Sequence, residues 1–119
     1  MPKALDRIDV SAPVCCAPLA RAGLDEDAAL EIALRLKALA DPVRVRLMSL
    51  ILNSDDARGT CTCDLAPMVG LSEATVSHHL RQLREAGLVE RTREGANVWY
   101  LPRRDSLGAL CRAIDPTCC

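Results

Sequence analysis

The sequence predicts a mainly α-helical domain carrying a β-hairpin near its C-terminal end. Three observations predict it. Of 119 residues, 50% are hydrophobic and only 2% aromatic, so the core must be Leu, Val, Ile, Ala and Met, a composition that leans helical. Apolar residues recur at helical spacing in segments punctuated by Asp, Ser, Gly and Pro. Two alternating segments, 88–93 and 97–101, flank a Glu94-Gly95 turn. The length suits one domain, and a second copy would add buried surface that so short a chain lacks. We divide the chain into a flexible arm over 1–23, one domain over 24–115 and a cysteine-containing tail over 116–119.

The arm contains Pro2, Pro13, Pro18 and Gly23, with Cys15-Cys16 between two prolines. The first helix is expected over 25–40, with Leu30, Leu34 and Ala38 as its apolar stripe and Ile32, Leu36 and Leu39 widening it. Asp41 caps the second helix and Pro42 occupies its first turn. That helix runs to Leu52, and a polar loop follows over 53–59. A short helix is expected over 64–69, with Cys61 and Cys63 at or just before its start and Gly70 as its stop. Ser72 caps the next helix, which runs to about Ala86 and stops at Gly87. Two short helices around a tight turn make a helix-turn-helix, and the hairpin behind them completes the winged-helix plan. A last helix is expected over 106–114.

The formal net charge is -1, which does not advertise a polyanion partner, but the distribution is uneven. Residues 72–104 hold six Arg and four Glu, a balance of +2, whereas residues 1–34 hold three basic and six acidic groups, a balance of -3. The excess of positive charge thus accompanies the second helix of the helix-turn-helix.

At 100° per residue, Val76, Leu80 and Leu83 share the inward face of that helix. Ala74, His78, Arg81 and Glu85 fall on the opposite face, flanked by Thr75, Ser77 and Gln82. A helix-turn-helix lays the N-terminal part of this helix in the major groove. The DNA contacts are therefore expected from Ser72, Glu73, Thr75, Ser77, His78, Arg81 and Gln82, whose short or polar side chains can approach base edges and phosphates. His79 lies nearer the inward face and is expected to be a packed, hydrogen-bonded histidine. Arg91 and Arg93, two residues apart on a strand, share a face and suit phosphate or minor-groove contacts by the wing.

Seven cysteines accompany no signal-peptide pattern, and no apolar run reaches transmembrane length. The expected location is cytoplasmic, with no membrane partner, and the cysteines are expected as ligands or redox groups rather than structural disulfides. Cys61-Thr62-Cys63-Asp64 stands just upstream of the reader helix, which suggests a switch from thiol chemistry to DNA. Thiolates are soft and select As(III), Sb(III), Cd(II), Pb(II), Zn(II) or Cu(I). Cys111 is expected in the core or at a dimer interface, and with Cys118 and Cys119 it could form a separate three-thiolate site.

The chain resembles the ArsR/SmtB family of metal-sensing bacterial repressors over residues 28–114. The resemblance rests on Leu36-Lys-Ala-Leu-Ala-Asp-Pro-Val-Arg-Val-Arg-Leu47, Cys61-Thr-Cys-Asp-Leu65, Leu71-Ser-Glu-Ala-Thr-Val-Ser-His-His-Leu80 and Glu85-Ala-Gly-Leu-Val89. It implies a homodimeric winged helix that pairs through its first and last helices; with one reader helix per small chain, such a dimer is expected to bind an imperfect palindromic operator. It also implies repression of a metal export or detoxification operon, relieved by the metal. The thiolate ligands it implies are Cys61 and Cys63. Arsenite sensors often add a third Cys three residues after the second, where this chain has Ala66. Other members recruit cysteines from the arm of the opposite subunit, a description that fits Cys15 and Cys16. The family's last-helix zinc site needs Asp and His; the last helix here has Asp105 and no His, so that site is not expected.

Cys61, Cys63 and one arm cysteine would suit As(III), Sb(III) or Pb(II); both arm cysteines would suit Cd(II) or Zn(II). As(III) is the favoured inducer because the Cys15-Cys16 pair resembles the arm of arsenite sensors. A second reading is a redox-sensing repressor whose cysteines pair as disulfides. No Cys-x-x-Cys at a helix start, glycine-rich loop or catalytic His-carboxylate set is present, so an enzyme is not expected.

Overall fold

A computed structural model of the chain describes residues 23–115, together with Leu19. Helix α1 (Glu26–Leu39) begins at Asp25, whose carboxylate accepts the Ala28 N–H at 2.8 Å. Helix α2 (Pro42–Leu52) begins at Asp41, whose carboxylate accepts the N–H groups of Val43 at 2.8 Å and Arg44 at 3.3 Å. Burial opposes the Asp41 charge, but those two N–H groups outweigh it and hold the carboxyl below its ordinary value.

The buried line of α1 differs from the expected stripe. Ile32, Arg35 and Ala38 are buried, Leu30 and Leu34 are half-buried, and Leu36 is exposed. Arg35 is fully covered: its Nη1 donates to the Glu31 carbonyl at 3.3 Å and stands 4.0 Å from the Glu31 carboxylate. A long aliphatic stem lets an arginine pack where an apolar residue was expected.

Strand β1 (Thr60–Cys61) leads directly into helix α3 (Thr62–Val69). Helix α4 (Glu73–Glu85) follows, then strands β2 (Val89–Glu94) and β3 (Asn97–Pro102) and helix α5 (Arg104–Ile114). The strands form one antiparallel sheet in the order β1-β3-β2. Glu94 pairs with Asn97, so the hairpin turn is Gly95-Ala96, one residue later than expected. The alternation correctly marks β2 and β3. β1 is too short to show a period, and it forms because β3 offers it an edge. Gly59 lets it dock: its φ is +96°, and a Cβ there would collide with the Tyr100 main-chain carbonyl.

The expected helix-turn-helix is present. α3 ends at Gly70, which is left-handed at φ 71° and donates to the Pro67 carbonyl. Pro67 lies inside α3 and has no N–H, so the intrahelical bond to the Cys63 carbonyl is missing. One continuous core joins α2, α3, α4 and the sheet through Leu47, Ile51, Leu65, Val76, Leu80, Leu83 and Leu88, all essentially inaccessible to solvent. A smaller cluster of Ile32, Leu110 and Ala113 packs α1 on α5, and Leu36 and Ile114 remain exposed. No described helix is long and apolar enough to cross a membrane.

Candidate nucleic-acid interface and cysteine site

The reader helix is α4. Its cap is Ser72, whose Oγ accepts the Thr75 N–H at 3.2 Å and donates to Thr75 Oγ1 at 2.9 Å. Val76, Leu80 and Leu83 are fully buried, as the helical wheel requires. Ser72, Glu73, Thr75, Ser77, His78 and Arg81 are exposed and form one polar surface along its N-terminal half and middle. Gln82 is half-buried and instead lines a cleft of about 490 Å³ with Lys37, Arg44 and Glu85. His79 is half-buried, but its Nδ1 is covered and makes no hydrogen bond within the structure, so the expected bond at that atom is not made.

Arg91 and Arg93 are exposed on β2, the sheet edge, opposite Tyr100 and Val98. Local sequence did not reveal their setting. Arg91 shares a groove with Arg84, Arg103 and Arg104, alongside Glu90 and Asp105. Those arginines come from α4, β2 and the start of α5, so only the fold gathers them. Asp105 accepts from the Ser106 backbone N–H and from Arg103, which holds its carboxyl below the ordinary value.

Cys61 is the N-cap of α3, and its Sγ accepts the Cys63 N–H at 3.1 Å. Cys63 lies one residue inside the first turn. The curl of the chain into the helix brings both sulfurs together, and they form a disulfide with Cα atoms 5.1 Å apart. The sequence set ligands or redox groups above structural disulfides and kept disulfide pairing as a second reading; the structure holds this pair as a disulfide. Cys61 is 1% exposed, whereas Cys63 faces solvent. Cys111 is half-buried on α5 and is also disulfide-bonded. Cys15, Cys16, Cys118 and Cys119 lie outside the described residues. Among the described residues, no group of three or more His, Cys, Asp or Glu side chains could hold a metal ion.

Sequence reading missed the surroundings of the pair. The β1–β3 register sets Cys61 opposite Trp99. The Arg58 guanidinium lies over the Trp99 ring, 4.1 Å from its centroid. Asp56 holds Arg58 there, accepting from Nε at 3.2 Å and Nη2 at 2.9 Å. Those side-chain bonds lower the Asp56 carboxyl and raise the guanidinium. A cavity of about 400 Å³ opens beside them, lined by Leu50, Met68 and Trp99 and by polar neighbours including Thr60 and Asp64.

This geometry has clear relatives. The model of the arsR family of bacterial regulatory proteins matches residues 41–91. A chain named as an arsenical resistance operon repressor (ArsR2) from Halobacterium salinarum is 38% identical over 92% of this chain and 88% of its own length. The crystal structure of an antimony-specific repressor, AntR, superposes at a TM-score of 0.64 with 28% identity, covering 77% of this chain and 81% of that one. A homodimeric winged helix-turn-helix DNA-binding domain from Mycobacterium bovis, solved by NMR, superposes at 0.61 with 28% identity, covering 76% and 82%.

Proposed function

Because the chain belongs to the ArsR family of bacterial regulatory proteins, we propose that it is a metal(loid)-responsive repressor that binds operator DNA as a homodimer and is released by As(III). The observation that carries this reading is the convergence of Cys61 and Cys63 at the start of α3. Only Gly70, Leu71 and the cap Ser72 separate α3 from α4. A change at the sulfurs is therefore one short helix away from the reader.

As(III) takes three thiolates, and Cys61 and Cys63 supply two. The third comes from Cys15 or Cys16 in the arm of the opposite subunit. Drawing that arm onto α3 alters the relative pose of the two reader helices. Inducer then has higher affinity for the DNA-incompetent dimer, and DNA lowers inducer affinity by the same factor. The arsenical-resistance relative supports As(III); the antimony-specific neighbour supports the chemically similar Sb(III). Cd(II), Pb(II) and Zn(II) remain soft alternatives for the same thiols. The dimer pairs through α1 and α5, where Leu36 and Ile114 are exposed, and reads an imperfect palindrome in the cytoplasm. Ser72, Glu73, Thr75, Ser77, His78 and Arg81 face the major groove, and Arg91 and Arg93 the adjacent phosphates. The reading includes no catalytic activity.

The Cys61–Cys63 disulfide favours a second reading, in which oxidation of the pair releases DNA without metal. One experiment separates the two. Labelled operator is followed by fluorescence anisotropy with reduced protein, titrated with As(III), Cd(II) and peroxide. Release by As(III), lost in Cys63→Ser and in Cys15→Ser-Cys16→Ser, is the expected result. Release by peroxide alone establishes the redox reading. His78→Ala should weaken operator binding by about 1–3 kcal/mol, and an unchanged affinity removes His78 from the interface.

A further inference from the structure

We infer that the arginine groove at the base of the wing is a further DNA contact, in which Arg84 and Arg91 grasp a backbone phosphate at the rim of the half-site, backed by Arg103 and Arg104. The inference rests on the operator-binding reading above and adds Arg84, Arg103 and Arg104 to the surface given there.

Charge is the first argument. Val89 and Pro102, the cross-strand partners that close the hairpin, line the groove. Around them stand four guanidiniums and only two carboxylates, Glu90 and Asp105, in a chain whose formal net charge is -1. The four are not alike. Arg103 is paired with Asp105 at 3.4 Å, and Arg104 donates from Nη2 to the Leu52 carbonyl at 3.2 Å, so both are held in place. Arg84 and Arg91 carry no ion pair or side-chain hydrogen bond among the described residues. A cleft lined by one sign of charge focuses its field and concentrates the opposite ion. The guanidinium fork matches phosphate oxygens in particular.

Placement is the second argument, and it selects DNA as the source of the phosphate. Arg81 and Arg84, three residues apart, are neighbours on the surface of α4. Arg91 and Arg93, two apart, share a face of β2. The arginines of the reader and of the wing thus run towards each other and meet in the groove at Arg84 and Arg91. Arg84 also stands seven residues beyond Ser77, about 10.5 Å along the helix axis and only about 20° away around it. The major groove is about 8.5 Å deep. With Ser77 at the base edges, Arg84 is at the height of the groove's rim, where the acceptors are phosphate oxygens and carry no sequence information.

The test uses the full chain, a duplex that it selects from a random pool, and an unrelated duplex. Binding is followed by fluorescence anisotropy between about 50 and 200 mM salt. Arg84→Gln should flatten the plot of log affinity against log salt by about one for each subunit's lost contact, and should weaken both duplexes by the same factor. Arg84→Lys keeps the charge and should keep the native slope. Asp105→Asn keeps an acceptor for the Ser106 N–H but leaves Arg103 uncompensated, so it should steepen the slope and tighten both duplexes. A methylphosphonate scan then locates the phosphate. At one position in each half-site, removing the charge should weaken the native chain and leave Arg84→Gln unaffected. An unchanged slope in Arg84→Gln overturns the inference. So does a loss confined to the selected duplex, which makes Arg84 a base reader, or an equal loss in Arg84→Lys, which makes its role structural. A groove that instead holds an acidic segment of another protein leaves DNA binding unmoved in every variant, and is refuted or established by the same slopes. A native chain that binds neither duplex overturns the operator reading itself.

Discussion

The two helices of the helix-turn-helix both begin with a side-chain cap, built from different atoms and reaching different N–H groups, the third residue on at α4 and the second at α3. At α4, the Ser72 hydroxyl accepts an N–H at 3.2 Å. At α3, the Cys61 sulfur accepts one at 3.1 Å. The Ser72 oxygen is a good acceptor with no redox chemistry, and sulfur is a weak acceptor that can change partner. The reader thus has a chemically inert start. Its support helix starts on a group that can be thiol or disulfide. Both helices share one core, so the difference lies in their first turns and not in their packing.

The largest expected effects test that shared core. Leu65→Ala in α3 and Leu83→Ala in α4 remove fully buried side chains, and each should lower stability by about 2–5 kcal/mol in urea denaturation. A much smaller loss for Leu65→Ala would break the comparison by showing α3 loosely attached. Next come the caps. Ser72→Ala should cost about 1 kcal/mol in oxidised and reduced protein alike. Cys61→Ser, which keeps a cap acceptor, should leave a stability that responds to reductant only through the Cys111 disulfide. Dependence of the Ser72→Ala loss on redox state would mean that the two first turns are coupled.

The smallest effect concerns the acid limb. The carboxyl of Asp41 is held below its ordinary value. Its contribution is therefore fully present above that ordinary value and is lost as the pH falls through the range below it. Asparagine keeps the cap without the charge. The urea midpoint of Asp41→Asn should accordingly fall less than that of the native chain between about pH 5 and pH 3. Parallel curves would assign the capping strength to geometry alone.

Wherever punctuation or period is local, the fold was legible. Asp41 and Ser72 cap the helices they announce, and Gly70 stops α3 in the left-handed conformation. Val76, Leu80 and Leu83 occupy the buried face the helical wheel gives them. Arg35 was not legible, because charge hides a stem that packs. β1 was not legible either, since a strand of two residues exists only through its partner. For the site, the Cys61-Thr62-Cys63 spacing locates the sulfurs, but Trp99, with Arg58 over its ring, joins Cys61 only through the sheet register. The basic groove around Arg91 is likewise assembled from three elements.

Pro67 gives α3 a property that neither its length nor its burial suggests. A helix of eight residues is about 12 Å long, short enough to act as a stiff rod between cap and reader. The bond missing at the Cys63 carbonyl places a joint in that rod, between the turn that carries the sulfurs and the turn that abuts Gly70. The turn that carries the sulfurs is therefore held to the turn that abuts Gly70 by one backbone hydrogen bond fewer than an unbroken helix of this length would have.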